Sequence, residues 1–129
     1  MTRRPLTSRA TLPCASELLA LAKKAGASEA KIIAAELVRV DEALAGYCAP
    51  DSCPHYGLAL SCPPLVEGPQ VFRQWLEKTC FALVLRLETP AAVLFSGQRA
   101  PLMRRLHRAT ATVEQAAIRA GYAHSRAFA

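Results

Sequence analysis

Apolar residues recur along this chain with two different periods, and the changes of period mark its elements. Between Ser16 and Ala25, the residues Leu18, Leu19, Ala22 and Ala25 fall on one stripe at helical spacing. Ser16 stands where it can cap that helix, Glu17 lies in a first turn that favours an acid, and Gly26 ends it. From Glu29 to Val40 the signal is mixed: Ile32, Ile33, Leu37, Val38 and Val40 favour a strand, while Ala34, Ala35 and Glu36 suit a helix. Its place between Gly26 and a proline-rich loop resolves the segment as a strand. Gly68-Pro69 opens a second helix, proline near its first position, with Phe72, Trp75, Leu76 and Thr79 on the inner side. Phe81-Ala82-Leu83-Val84-Leu85 is a nearly continuous apolar run, read as a central strand covered on both faces and ended by Thr89-Pro90. Residues 90–98 form a linker. The clearest element is a long helix in which Leu102, Leu106, Ala109, Val113, Ala116 and Ala120 step by four and three, stopped by Gly121. Tyr122, His124, Arg126 and Phe128 then alternate as the residues of a final strand do.

This order, α-β-cysteine loop-α-β-α-β, predicts an α/β (or α+β) fold with helices packed against a small sheet. Residues 1–13 are polar and punctuated by proline, and read as a flexible arm. Residues 14–129 read as a single domain. Within it, positions 46–69 hold Pro50, Pro54, Pro63, Pro64 and Pro69 with Gly46, Gly57 and Gly68, a density that forbids a regular element and marks a rigid loop.

Composition narrows the class. At 129 residues and 52% apolar, the chain can bury one core and is no disordered segment. Aromatics are 6%, so that core is built mainly of Ala, Leu and Val. No run approaches the roughly 20 apolar residues that span a bilayer. The opening Met1-Thr2-Arg3-Arg4-Pro5-Leu6-Thr7 lacks an apolar stretch after its charges, so a cytoplasmic location is expected. The net charge of +6 has two sources: Arg3, Arg4 and Arg9 near the start, and Arg99, Arg104, Arg105 and Arg108 with no acid before Glu114. Such a surface attracts nucleic acid, phosphates or acidic partners. No aromatic is interleaved with the second cluster, so it reads as a solvated helix face rather than a nucleic-acid site. A non-enzymatic binding module using this helix stands as an alternative function.

Chemistry concentrates in the loop, whose pattern is C-x4-C-x2-Y-G-x4-C-P-P. Cys48, Cys53 and Cys62 lie there among prolines that lower the entropy lost on closing around a metal. Thiolate sulfur binds Zn²⁺, Cu⁺ and iron–sulfur clusters and binds hard cations poorly. The intervals are not the paired C-x2-C of structural zinc, and Cys62-Pro63-Pro64 resembles the Cys-Pro ending of ferredoxin ligand runs. On these residues a metal ion or an iron–sulfur cluster is open. The fourth ligand is open among His55, Cys14, Cys80, a residue that this chain lacks and an exogenous group, although Cys80 reads as core and His55 as a loop residue in solvent. Gly57 is expected to supply a turn that a side chain would not fit, and Tyr56 to pack beneath the loop. His107 and His124 read as surface residues. The five cysteines are expected as thiols or ligands rather than disulfides, and an odd count closes no disulfide framework. A thiol-redox protein cycling Cys48 and Cys53 is a further alternative. No phosphate-binding glycine loop, dinucleotide fingerprint, nucleophile elbow or carboxylate pair points to an enzyme class.

These loop residues, Cys48, Cys53-Pro54-His55-Tyr56-Gly57 and Ser61-Cys62-Pro63-Pro64, resemble an uncharacterised bacterial and archaeal family of predicted metal-binding proteins, a domain of unknown function. Ala25-Gly26-Ala27-Ser28-Glu29-Ala30-Lys31 and Ala120-Gly121-Tyr122 also fit, so that the likeness runs from about residue 16 to 128. The resemblance implies soft-metal binding, an iron–sulfur cluster in preference to zinc, with no established reaction; electron transfer, or service to a redox partner protein, is the role expected. Members of that family continue past the position of Phe128 into a second cysteine-rich segment, which this chain does not carry. Some also have a cysteine just after C-P-P, where this chain has Leu65-Val66.

Overall fold

The computed structural model describes residues 14–59 and 62–129. The predicted arm at 1–13 lies outside the described residues. Among the described residues, four helices and two strands are formed: α1 (Ala15–Lys24), β1 (Glu29–Ala34), α2 (Pro69–Glu77), β2 (Phe81–Arg86), α3 (Ala91–Leu94) and α4 (Arg99–Arg119). Two 3₁₀ segments, Ala35–Leu37 and Glu42–Cys48, lie between β1 and α2. The mixed α/β class holds. Contacts group the described chain into two units, one from Ala34 to Ala82 and one made of the residues up to Ile33 with Leu83–Ala129. The division falls within both strands.

In the second unit, α1 packs on α4. Ala22 is fully buried with Ala27 and Val113 around it, and Ala30, Leu83 and Leu85 pack against that cluster. Ala109 lies on the expected stripe of α4 with Val113, but the next buried residue is Ala117, while the expected Ala116 is half-buried, so the buried face steps by four and four. Both helices end alike. Gly26 (φ +121) donates to Lys23 and Ala27 to Ala22; Gly121 (φ +109) donates to Ile118 and Tyr122 to Ala117. This is the Schellman arrangement, and only glycine takes its positive φ without strain.

The strands pair antiparallel. Ser28 donates its N–H to Arg86 at one end (2.7 Å) and Ala35 donates to Cys80 at the other (3.0 Å). The Arg86 guanidinium donates to both Glu29 and Glu88 at 2.8 Å, and Ser28 Oγ accepts from the Glu88 N–H.

Several expectations are corrected. Cys14, at φ +61, occupies the cap position of α1 and Ser16 lies inside the helix. The strand predicted over Glu29–Val40 stops at Ala34, because its partner is only six residues long and Ala35–Leu37 winds into a 3₁₀ turn. β2 is not covered on both faces: the sheet has two strands, and Val84 is 48% exposed. Cys80 precedes β2 and is exposed, so it is not core. No final strand forms at 122–129. There the chain turns through Ser125 N–H to Tyr122 O, and Glu114 of α4 accepts the Ala127 N–H, which takes the backbone away from sheet pairing. The linker at 90–98 contains the short helix α3.

Candidate metal centre

The first unit holds the cysteine loop. α2 begins at Pro69, where a missing N–H costs nothing, and packs on both 3₁₀ segments. Leu76 is its buried residue, while Phe72 and Trp75 are half-buried with their rings stacked at 6.0 Å. Arg73 of α2 donates to Glu42 Oε1 at 2.7 Å and to the Val40 carbonyl at 3.3 Å. It thereby fastens the 3₁₀ segment that ends at Cys48 to the helix that follows the loop. Asp41 caps that segment by accepting the Ala43 N–H.

Beyond Cys48 the backbone proceeds as a string of tight turns. Ser52 and Cys53 both donate to the Ala49 carbonyl, Tyr56 donates to Cys53, and Leu58 donates to His55. Cys62 donates to Ala59, and its carbonyl accepts from Leu65 and Val66. Leu60 and Ser61 of the motif lie outside the described residues. Gly57 sits at φ +73, so the predicted turn is present. An added Cβ would meet the Pro63 carbonyl and Pro64 only at ordinary contact distance, 3.8 Å, so backbone conformation rather than space selects glycine there. The Pro63–Pro64 peptide is cis. Tyr56 is half-buried and His55 exposed.

All five cysteines are free thiols. Cys48 is exposed, and Cys53 and Cys62 are half-buried. The turns of the loop are closed by backbone N–H and carbonyl groups rather than by these sulfurs. Their type suits a soft metal. Their placement stops short of a formed site: among the described residues, no three of His, Cys, Asp and Glu gather closely enough to hold a metal ion. Nor does the segment have a core. Among the described residues from 36 to 75 none is buried, while Leu44, Tyr47, Leu58 and Leu65 are each well over half exposed.

The other candidate ligands stand elsewhere. The Cys14 thiol donates to the Glu17 carboxylate, and this bond, with the negative charge behind it, holds the thiol above its ordinary pKa. Burial, and then Cys14, raise the Tyr122 hydroxyl in turn. A groove of about 200 Å³ lies between Ala35, Val38, Val40, Arg73 and Leu76, and no cysteine lines it. Among the described residues, no helix is long and apolar enough to cross a membrane.

Comparison with known proteins gives one match. No curated protein and no solved structure matches the chain. Residues 31–129, which include the whole cysteine motif, match the family described as predicted metal-binding protein (DUF2284), and the chain belongs to that family.

Proposed function

We propose that this protein binds a soft metal, an iron–sulfur cluster in preference to zinc, through Cys48, Cys53 and Cys62, and that it serves electron transfer or a redox partner. The observation that carries this reading is the pairing of three free thiols with a stretch that contains no buried side chain among its described residues. A segment without a core gains stability when a metal supplies the missing cross-link, so binding and local folding are one event. Zinc would more commonly be met by two close pairs of ligands, whereas this loop spaces three sulfurs singly and follows the last with two prolines. His55, exposed beside Cys53, stands as the alternative source of a fourth ligand.

Anaerobic purification followed by iron, zinc and acid-labile sulfide analysis tests the reading. Iron with matching sulfide, and a broad visible absorbance, is the expected result. Zinc without sulfide would reassign the metal, and neither element at meaningful occupancy would refute the proposal.

A further inference from the structure

We infer that the unit containing α1 and α4 carries a second binding surface, for single-stranded nucleic acid, formed by Phe95 and the arginines of the first half of α4. This inference is independent of the cysteine loop. Arg99, Arg104, Arg105 and Arg108 are all exposed, and the ion pairs of the described residues, Arg73 with Glu42 and Arg86 with Glu29 and Glu88, use none of them. The two carboxylates on these helices are engaged elsewhere: Glu17 accepts from the Cys14 thiol and Glu114 from the Ala127 N–H.

The fold does not ask for this cluster. The N-terminal end of a helix is its positive end and favours acids in its first turn, yet α4 has no acid there and begins on Arg99, with Arg104, Arg105 and Arg108 following before any carboxylate of the helix. Local electrostatics is set against itself there, as expected where an external anion completes the balance. The patch extends onto α1. The Arg105 guanidinium reaches over the turn at Gly26, where an added Cβ would meet it at 3.9 Å, next to the exposed Lys23 and Lys24 of the last turn of α1. On α4 every cation is arginine, whose planar fork pairs with phosphate oxygens bidentately and stacks on bases.

Phe95 decides which polyanion fits. It follows the last residue of α3, lies four positions before Arg99, and is 90% exposed. A solvent-facing aromatic next to backbone-binding cations is the combination that single-strand binders use, one stacking on bases and the other neutralising phosphates. A lipid surface calls for an outward-turned apolar helix face. The apolar face of α4 is already buried, through Ala109, Val113 and Ala117.

Fluorescence anisotropy of the full chain against a labelled oligouridylate, a duplex of equal length and phosphatidylserine-containing vesicles tests this. The single strand should bind best. With four phosphate contacts, raising salt from about 50 to about 200 mM should weaken binding about 50-fold. Replacing Arg104, Arg105 and Arg108 together by Gln should flatten that salt dependence, with helicity by circular dichroism unchanged. Phe95→Ala, outside α4, should weaken binding by about fivefold or more at unchanged salt slope, and Phe95→Tyr should restore it. No binding at low salt, preference for duplex or vesicles, or full affinity in Phe95→Ala would each overturn the inference.

Discussion

At the scale of single residues, the five thiols of this protein fall into different environments. Cys48, Cys53 and Cys62 have their backbone groups tied into successive turns and their sulfurs left over. Substituting Cys62 by Ser should therefore lower metal occupancy by at least about tenfold, more than a supporting residue would, while His55→Ala should change it far less. Metal analysis of the two variants side by side checks this. Cys14 differs because Glu17 holds its proton. A raised thiol pKa means that, near and somewhat above the ordinary thiol value, the folded chain keeps a proton that the unfolded chain has released. The associated stabilisation is complete below the unfolded pKa and is lost as pH rises through the folded one. At about pH 9 alkylation of Cys14 should be slower in the folded than in the unfolded protein, and Glu17→Gln should speed it in the folded protein. Equal rates in the parent and in Glu17→Gln would contradict the hydrogen bond.

At the scale of elements, the sequence pattern was most readable where one face is buried along a regular period. α4 forms where expected because Ala109 and Val113 of the expected stripe are buried, although the stripe then runs to Ala117 rather than Ala116, and both long helices end at the glycines that a Schellman turn requires. The misreadings concern strands. Alternation at Tyr122, His124, Arg126 and Phe128 is compatible with a strand, but a strand needs a partner, and the carboxylate of Glu114 binds this backbone instead. Likewise β2 is apolar from Phe81 to Leu85 yet only partly covered, with one partner strand and Val84 exposed. Between elements, Arg73 links α2 to the segment ending at Cys48 through an ion pair whose side chains are about half exposed. Such pairs contribute at most about 1 kcal/mol. Arg73→Ala should thus weaken metal binding by no more than about fivefold, measured by competition with a chelator. A complete loss would mean that Arg73 does more than position the loop.

At the scale of the whole molecule, stability and chemistry are distributed unequally. Ala22, Ala27 and Val113 form the buried cluster of the unit that holds α1 and α4, whereas in the other unit Ala35 and Leu76 are buried and no described residue from 36 to 75 is. The loop segment is consequently the low-stability part of the chain in the absence of metal, because few buried contacts oppose its opening. Loading with metal should slow amide exchange across Glu42–Val66 and leave α1 and α4 nearly unchanged. Protection spread evenly over the chain, or none in the loop, would count against metal-coupled ordering. Charge is divided as well: from Ala34 to Ala82 carboxylates outnumber cations, whereas α1 and α4 are strongly basic. Thiolate ligands would add further negative charge to the first stretch and none to the second.

The amino-acid sequence by itself determined the three longer helices, the turn at Gly57 and the nature of the donors. Each of these depends on neighbours a few positions away: a 3.6-residue period, a positive φ, a sulfur atom. Only the tertiary structure decided that Cys80 faces solvent, that the last eight residues form no strand, and that Phe95 stands out in solvent ahead of the arginine-rich α4. Those outcomes depend on which surfaces are already covered and which backbone groups are already bonded. No local pattern encodes that, because burial is a property of the partners as much as of the residue.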